Sequence, residues 1–269
     1  MTLKEKYGDL ALIAGASEGI GAAYAQQLAA EGINLVLVAR RKEPLVRFAD
    51  ELISKYGIEV ICVQEDLADP DAADRILNQV KGIEINIFIY NAGNSYIGKF
   101  ETQDWKVHKE IAFTNMITPM QLVHAIAPGM LEKGKGAIIF MASLAGFQGT
   151  PFIATYAATK AFDQILAESL WYEWKDRGVD VMACCAGATS SPNFIKTNPG
   201  KQHFLAPKVQ TPEAVVTECL HRLGKRPSFI TGSANKMASF FMRRVLSRKK
   251  AIMTMGDTTK KMYNIRSKV

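Results

Sequence analysis

Short apolar runs alternate with longer amphipathic stretches along this 269-residue chain. The apolar runs are rich in valine and isoleucine and predict strands at 10–14, 33–38, 60–63, 85–90, 137–141, 179–184 and 228–230. The amphipathic stretches predict helices near 20–31, 43–56, 70–80, 104–132, 155–177 and 211–224. This alternation is typical of an α/β fold with one Rossmann-type, doubly wound parallel sheet and helices on both faces.

Helix-capping residues and turn residues refine this pattern. Asp69-Pro70 and Thr211-Pro212 each place an N-cap residue before a proline at the first helical position. Residues 187–210 contain glycine, proline, serine and asparagine that break any period, which predicts a long loop of the kind that is usually functional. Because no repeat or low-complexity linker appears, we expect a single domain over residues 1–269.

Composition narrows the class of protein. Hydrophobic residues make up 48% of the chain and charged residues 22%, as in ordinary globular proteins. No apolar run reaches the ~18 residues that a membrane span needs, and the start lacks the apolar region of a signal peptide. The four cysteines and four histidines lack metal-ligand spacing. We therefore expect a cytoplasmic protein with reduced cysteines and no metal.

The positive charge is concentrated at the carboxyl end. Lys225–Val269 holds twelve Lys or Arg and one acid, which gives this segment a net charge of +11. Since the whole chain has a net charge of +7, residues 1–224 carry −4. Such an end suits nucleic acid or an anionic membrane surface, but no nucleic-acid motif accompanies it. We expect no nucleic-acid partner and favour a solvated extension over about 234–269, with peripheral membrane contact left open.

The first predicted strand leads directly into a glycine-rich turn, and a helix follows. Glycines permit a tight turn there and let backbone amides approach a pyrophosphate at the helix N-terminus. A flexible loop has the same composition, so the position between the first strand and the first helix carries the prediction. The turn predicts a dinucleotide site that includes Gly15, Ser17, Glu18, Gly19, Ile20 and Gly21.

Three further strand ends fit the same ligand. Arg40-Arg41 ends the second strand, where an acid would bind the ribose of NAD, and arginine instead favours the 2′-phosphate of NADP. Asp66-Leu67 follows the third strand, near an expected adenine amino group. Asn91-Ala92-Gly93 ends the fourth, beside the adenosine ribose. Each pattern marks the carboxyl edge of a parallel sheet, where ligands bind.

Tyr156 and Lys160 share a helix face, because positions i and i+4 are neighbours on a helix. A free tyrosine is a poor base at neutral pH, whereas a fixed cation nearby stabilises the phenolate and makes proton transfer easier. Ser143 precedes the tyrosine by thirteen residues. A Tyr–Lys pair also occurs on many solvated helices, so the other motifs decide the interpretation.

Together these motifs resemble a known family. Gly15-x-x-x-Gly19-x-Gly21, Asp66, Asn91-Ala92-Gly93, Asn115, Ser143 and Tyr156-x-x-x-Lys160 occur in the order and spacing of short-chain dehydrogenase/reductases, over about residues 8–235. The opening at 3–8, the step at 39–41 and the stretch at 223–225 are similar to bacterial NADP-dependent hydroxysteroid dehydrogenases, the bile-acid 7β type included.

The resemblance implies reversible hydride transfer between a nicotinamide and a carbinol or ketone carbon. It implies that Tyr156 is the acid/base, that Lys160 holds the nicotinamide ribose, and that Ser143 polarises the substrate carbonyl. Asn115 would anchor a water linking the lysine to solvent. Gly187, with Thr189 or Ser191, would contact the nicotinamide.

Three positions depart from the family pattern, namely Ala14, Tyr90 and Ala186. The first two should alter local packing and hydrogen bonding without removing a catalytic group. Ala186 replaces a usual proline, which should change the direction in which the substrate loop leaves the sixth strand. This last departure is why the choice between Thr189 and Ser191 stays open.

The substrate prediction rests on apolar residues near the expected site, namely Phe147, Phe152, Phe194, Ile195, Phe204 and Leu205. Such a lid favours an extended apolar alcohol or ketone, and a hydroxysteroid, a bile acid, a fatty-acyl ketone or an isoprenoid ketone would all suit it. The same side chains would also serve simply to pin the loop to the core. A 3-oxoacyl thioester reductase and a non-catalytic NADP-binding sensor remain alternative functions.

Two apolar surfaces predict contacts outside the site. The helices at 104–132 and 155–177 are apolar on more than one side, which predicts a homodimer or homotetramer. A helix at 240–250 would place Phe240, Phe241, Val245 and Met237 on one face. We favour packing of this face on the core beside the substrate pocket over binding to an anionic membrane.

Overall fold

The computed structural model describes residues 1–197 and 209–265. Its centre is a seven-stranded parallel sheet with strand order β3-β2-β1-β4-β5-β6-β7. The strands are β1 Leu10–Ala14, β2 Asn34–Ala39, β3 Val60–Gln64, β4 Ile87–Tyr90, β5 Gly136–Ser143, β6 Val179–Ala186 and β7 Ser228–Ile230. The predicted doubly wound Rossmann-type sheet is confirmed.

Helices connect the strands and cover both faces of the sheet. They are α1 Leu3–Tyr7, α2 Gly19–Ala30, α3 Lys42–Tyr56, α4 Ala72–Gln79, α5 Trp105–Ala112, α6 Thr118–Lys133, α7 Ala154–Trp174, α8 Pro192–Lys196, α9 Pro212–Arg222, α10 Ser233–Arg244 and α11 Arg248–Met262. None of the described helices is both long and apolar enough to cross a membrane.

Alternate residues of each strand enter opposite cores, since successive side chains on a strand point to opposite faces. On β1, Ile13 joins a core with residues of α2, α3 and α9, such as Leu28, Leu45 and Val215. Its neighbour Leu12 joins a second core with residues of α4, α6 and α7, such as Leu122. Both faces are apolar, which explains why the strands read as near-continuous hydrophobic runs.

One predicted helix start is right and one is wrong. Thr211 caps α9 as predicted, because its side chain accepts from the amide of Ala214 and Pro212 occupies the first turn. α4, however, begins at Ala72 with Asp71 as its N-cap, not at Asp69-Pro70. The Asp69 carboxylate instead accepts from the Asp71 amide and pairs with Arg75 at 3.0 Å. These local contacts form a turn before the helix.

The predicted helix at 104–132 is interrupted. A π-helical turn, Phe113–Ile117, separates α5 from α6 and contains the candidate residue Asn115. Turns of this kind insert one extra residue per turn and are frequent at functional sites. The periodic pattern did not reveal this turn, because helix continues on either side of it.

The carboxyl-terminal half departs further from expectation. The 187–210 segment, predicted as a loop, contains α8 and a bridge that pairs Thr189 with Gln210, and 198–208 lie outside the described residues. The predicted helix at 240–250 is divided between α10 and α11, with Ser247 capping the second. The prediction that its apolar residues pack on the core is wrong, because Met237, Phe240, Phe241 and Val245 are 72%, 66%, 52% and 59% exposed.

Candidate active site

A glycine-built cradle lies where β1 passes into α2. Gly15 and Gly19 have φ values of 81° and 58°, in the left-handed region that favours glycine. A Cβ on Gly21 would overlap the Gly15 carbonyl oxygen and lie 2.7 Å from the Asn91 amide nitrogen. Asn91 Nδ2 donates to that same carbonyl at 2.8 Å. The cradle is therefore closed to side chains on one side and presents the N-terminus of α2 on the other.

This cradle has the chemistry that a pyrophosphate needs. The N-cap residue of α2, Glu18, makes no side-chain capping bond, so backbone donors of the first turn remain for a ligand. Arg40 and Arg41 are exposed at the end of β2, beside the turn. Arg41 is paired with Glu18, with 2.6 Å between the guanidinium and the carboxylate. The residues present fit a phosphorylated dinucleotide.

The third and fourth strand ends complete the same edge. Asp66 is exposed, and its carboxylate accepts from the amide of Ala68, which holds the turn after β3. Leu67 is buried beneath it, and its carbonyl accepts from the Thr118 hydroxyl. After β4, the amides of Asn91 and Ala92 both donate to the carbonyl of Ala14. These bonds fix the backbone against which a nucleoside would lie.

Tyr156 and Lys160 lie in the first two turns of α7, facing the end of β5. The Lys160 nitrogen is 5.9 Å from the centre of the Tyr156 ring. The lysine is buried and donates to the Met141 carbonyl and to the Asp163 carboxylate, both at 2.8 Å. Ser143, the last residue of β5, accepts from the Ala145 amide at 3.2 Å. The three predicted groups therefore share one cleft.

The environment of Lys160 keeps it charged. Burial disfavours the charge, but the negative charge of Asp163, joined by that of the Tyr156 oxygen when it is ionised, outweighs that effect, so the pKa of Lys160 lies above its ordinary value. Burial raises the pKa of Asp163, against the opposing pull of Lys160. Because the two groups are 2.8 Å apart, the ionised pair is the favoured state at neutral pH.

Asn115 is fully buried and does not line the cleft. Its Oδ1 accepts from the Asn94 amide at 2.8 Å, and its Nδ2 donates to the Asn94 carbonyl and to the Thr159 hydroxyl, each at 2.9 Å. The side chain therefore joins the loop after β4 to the helix that carries Tyr156 and Lys160.

The cleft that unites these groups has a volume of about 870 Å³. Its walls include every predicted cofactor or catalytic residue except Gly21 and Asn115. These wall residues are Gly15, Ser17, Glu18, Gly19, Ile20, Arg40, Arg41, Asp66, Leu67, Asn91, Ala92, Gly93, Ser143, Tyr156, Lys160, Gly187 and Thr189. Ser191 lines it as well, so both candidates for the carboxamide contact lie there.

Sequence reasoning placed the carboxyl-terminal segment beside the substrate pocket but did not identify the residues that form one wall of this cleft. This wall is formed by α11 and the residue after it, through Met255, Thr258, Thr259, Met262 and Tyr263. Burial raises the pKa of Tyr263, with Tyr156 adding to that rise and Thr197 opposing it. The signal was weak, since this wall lies at the far end of the chain and its residues are not a recognisable motif. Asp163, one helical turn after Lys160, was also missed.

The predicted lid residues have different surroundings in the structure. Phe194 contributes to the cleft wall, whereas Ile195 beside it is 62% exposed. Phe147 packs against the core and lies under Arg243, 4.4 Å from its ring centre. Phe152 has a φ of 69°, a strained value for a bulky residue, and lies near the ammonium of Lys260. Phe204 and Leu205 lie outside the described residues.

A parallel sheet with this strand order and a glycine cradle at its carboxyl edge defines the Rossmann-like class of dinucleotide-binding proteins. The chain matches the sequence model of the short chain dehydrogenases over residues 9–202. It therefore belongs to the short-chain dehydrogenase family, as its motifs predicted. Members of this family are oxidoreductases that use NAD or NADP.

Individual relatives narrow the comparison. A 7beta-hydroxysteroid dehydrogenase from Mediterraneibacter gnavus is 34% identical over 238 residues, which cover 88% of this chain and 90% of that protein. A solved 7beta-hydroxysteroid dehydrogenase structure aligns with a TM-score of 0.88 and 32% identity, covering 95% of this chain and 99% of that one. A short-chain dehydrogenase from Sphingobium yanoikuyae in complex with NADPH gives a TM-score of 0.74 and 31% identity, with coverage of 83% and 87%. The chain is thus homologous to hydroxysteroid dehydrogenases.

Proposed function

We propose that this protein is an NADP(H)-dependent oxidoreductase that interconverts a secondary alcohol and a ketone on an apolar substrate such as a hydroxysteroid. The observation that carries the proposal is the placement of Ser143, Tyr156 and Lys160 in one cleft with the glycine cradle. When bound, the nicotinamide supplies hydride exchange with the carbinol carbon.

The side chains would divide the remaining work. Tyr156 gives a proton to the substrate oxygen in reduction and takes it in oxidation. Lys160 binds the ribose hydroxyls and stabilises negative charge on the tyrosine oxygen. Ser143 donates a hydrogen bond to the substrate oxygen, where charge develops. Asn115 holds the loop after β4 against α7 and so keeps this geometry, with its place in a proton relay through water as part of the proposal.

The NADP preference rests on Arg40 and Arg41 at the end of β2. Two exposed guanidinium groups there suit a phosphate, and no acid occupies the position after the strand where NAD enzymes bind ribose hydroxyls. The NADPH-bound relative supports the same preference. Gly187 with Thr189 or Ser191 would meet the nicotinamide carboxamide, since all three line the cleft.

The substrate class rests on the α11 wall and on homology. Met255 and Met262 bring flexible apolar side chains into the cleft, and methionine adapts well to large rigid ligands. Thr258 and Tyr263 add hydroxyls that suit a substrate with polar groups at its edges. This mixture fits a steroid better than a small sugar, and the relatives named 7beta-hydroxysteroid dehydrogenases support it.

A substrate screen tests the proposal. The purified protein is incubated with NADPH and either a 7-keto bile acid, a neutral ketosteroid, a 3-oxoacyl thioester or a small ketone, and oxidation of the cofactor is followed by absorbance. We expect the steroid ketones to be reduced fastest, and with NADPH preferred to NADH. Faster turnover of the thioester would favour an acyl reductase. Tight NADPH binding without turnover of any substrate would favour a sensor.

A further inference from the structure

A buried carboxylate lies directly behind the lysine of the proposed active site. Asp163 follows Lys160 by one turn of α7, and its side chain is 2% exposed against 4% for the lysine. Asp163 Oδ2 accepts from Lys160 Nζ at 2.8 Å, and the Met141 carbonyl takes a second proton of the same ammonium group. The lysine is therefore held from two sides before any ligand binds.

Within residues 1–197 and 209–265, the second oxygen of Asp163 has no hydrogen-bond partner. A buried carboxylate that gives up hydration without full replacement is costly, so its presence calls for a reason beyond packing. Replacing a buried ion pair by apolar residues is often neutral or stabilising. Stability alone is therefore a weak explanation for this acid.

Three other titratable side chains of the described residues face the pair of Lys160 and Asp163. Tyr156 lies on the same helix, Tyr90 on β4 and Cys185 on β6. Burial raises the pKa of Cys185 to about 12 and raises that of Tyr90 well above its ordinary value, so both are neutral at physiological pH. Among the described residues, Asp163 is thus the anion that offsets the burial of Lys160 at neutral pH.

We propose that Asp163 is a positioning residue that holds Lys160 in place and keeps it protonated beside Tyr156. The inference rests on the proposed function, because it matters only if Tyr156 transfers the proton. A buried lysine without such a partner loses its charge readily, and documented cases titrate several pH units below an exposed lysine. Without the carboxylate, a neutral Lys160 would no longer stabilise the phenolate.

The test is the pH dependence of alcohol oxidation. Asp163→Asn keeps the size and one acceptor oxygen of the side chain but removes its charge. We expect the pH of half-maximal kcat/KM to rise by about one unit or more, which corresponds to roughly a tenfold loss of rate on the acidic side of the transition. Asp163→Glu restores the charge and should return the midpoint to that of the parent, even if the rate is lower.

A matched control removes a carboxylate from another ion pair. Glu218 pairs with Lys236 and borders neither Tyr156 nor the cradle, so Glu218→Gln should leave the midpoint unchanged. If Asp163→Asn does not fold, Asp163→Ser, which leaves space for water, provides the same measurement. A folded Asp163 variant without charge that keeps the parent midpoint would overturn the inference, as would a shift to lower pH.

A second variant separates this inference from the function beneath it. If Tyr156→Phe retains turnover, the proposed catalytic role fails. If Tyr156→Phe is inactive while the Asp163→Asn midpoint does not move, only the role of Asp163 fails. Cofactor affinity, measured from the fluorescence of bound NADPH, shows whether either variant has instead lost cofactor binding at the glycine cradle.

Discussion

The Arg41 guanidinium lies 2.6 Å from the Glu18 carboxylate, so the end of β2 is tied to the residue that precedes α2. Both residues line the cleft beside the glycine-rich turn. A ligand phosphate at the same place would compete with Glu18 for Arg41, whereas Arg40 lies exposed beside it. We therefore assign the larger part of any 2′-phosphate recognition to Arg40.

Arg40→Asp should move the cofactor preference from NADP toward NAD. The new carboxylate repels a 2′-phosphate and accepts hydrogen bonds from ribose hydroxyls. A charge-assisted hydrogen bond contributes ~1.5–3 kcal/mol, so the ratio of the two kcat/KM values should change roughly 10–150-fold. Steady-state kinetics with NADPH and NADH measure this ratio.

Two further variants complete that experiment. Arg177→Gln, an exposed charge change between α7 and β6, should leave the ratio as it is. The Arg40, Arg41 double variant should shift it further than Arg40→Asp alone, because Arg41 compensates in part. An unchanged ratio in the double variant would mean that the phosphate is bound elsewhere, for instance by Ser17.

Tyr156→Phe should abolish most turnover while NADPH binding persists. The cradle and Lys160 remain, but the group that exchanges a proton with the substrate oxygen is gone. A general acid/base contributes about 10²–10⁴-fold, and we expect a loss of kcat in that range. Tyr172→Phe, at a tyrosine on the same helix that is 68% exposed, is the matched control and should behave as the parent. A rate within a factor of a few of the parent would reject the assignment.

Local patterns were enough to predict the sheet and to place the candidate cofactor residues along one cleft at its carboxyl edge. Buried parallel strands appear in the sequence as apolar runs. Glycine, arginine and asparagine that follow these runs indicate a ligand site, because ligands bind at the carboxyl ends of parallel strands. Gly21 illustrates the limit, because its role is steric. It leaves room for the Gly15 carbonyl and for Asn91, and it does not touch the cleft.

Relationships between distant segments were not readable from the sequence. Asn115 lies in the π turn and bonds to Asn94 in the loop after β4 and to Thr159 on α7, two segments that are distant in the sequence. The α11 wall depends on how the last helices fold back over the cleft, and amphipathicity alone does not specify this. Phe240 and Phe241 were predicted to pack beside the substrate pocket, but both are exposed on α10. The residues that line the cleft come from the next helix, α11.

We expect a homo-oligomer, with α5 and α7 in the contact. Trp105 on α5 is 71% exposed, and Ile165 and Tyr172 on α7 are 63% and 68% exposed. Large apolar side chains exposed together are typical of protein interfaces. Light scattering at micromolar concentration should give a dimer or tetramer mass, and combined Ile165→Glu and Tyr172→Glu changes should reduce it. A monomer mass for the parent would contradict this expectation.

The last prediction concerns the segment after Gly232, which contains α10 and α11. Truncation there removes Met255, Met262 and Tyr263 from the cleft and leaves the cradle and Tyr156 in place. The truncated protein should therefore bind large steroid ketones less well and reduce a small ketone almost normally. Kinetics on the two substrates, with NADPH affinity as a check on folding, measure the difference.

Point variants sharpen this test, because the segment has two distinct surfaces. Met262→Ala changes the cleft wall and should raise KM for the steroid, by analogy with the truncation. Phe240→Ser with Phe241→Ser changes the exposed face of α10 and should leave both activities unchanged. If the truncation instead spares both substrates and abolishes sedimentation with anionic vesicles, the segment is a membrane tether, because its exposed phenylalanines lie among arginines and lysines that favour such a surface.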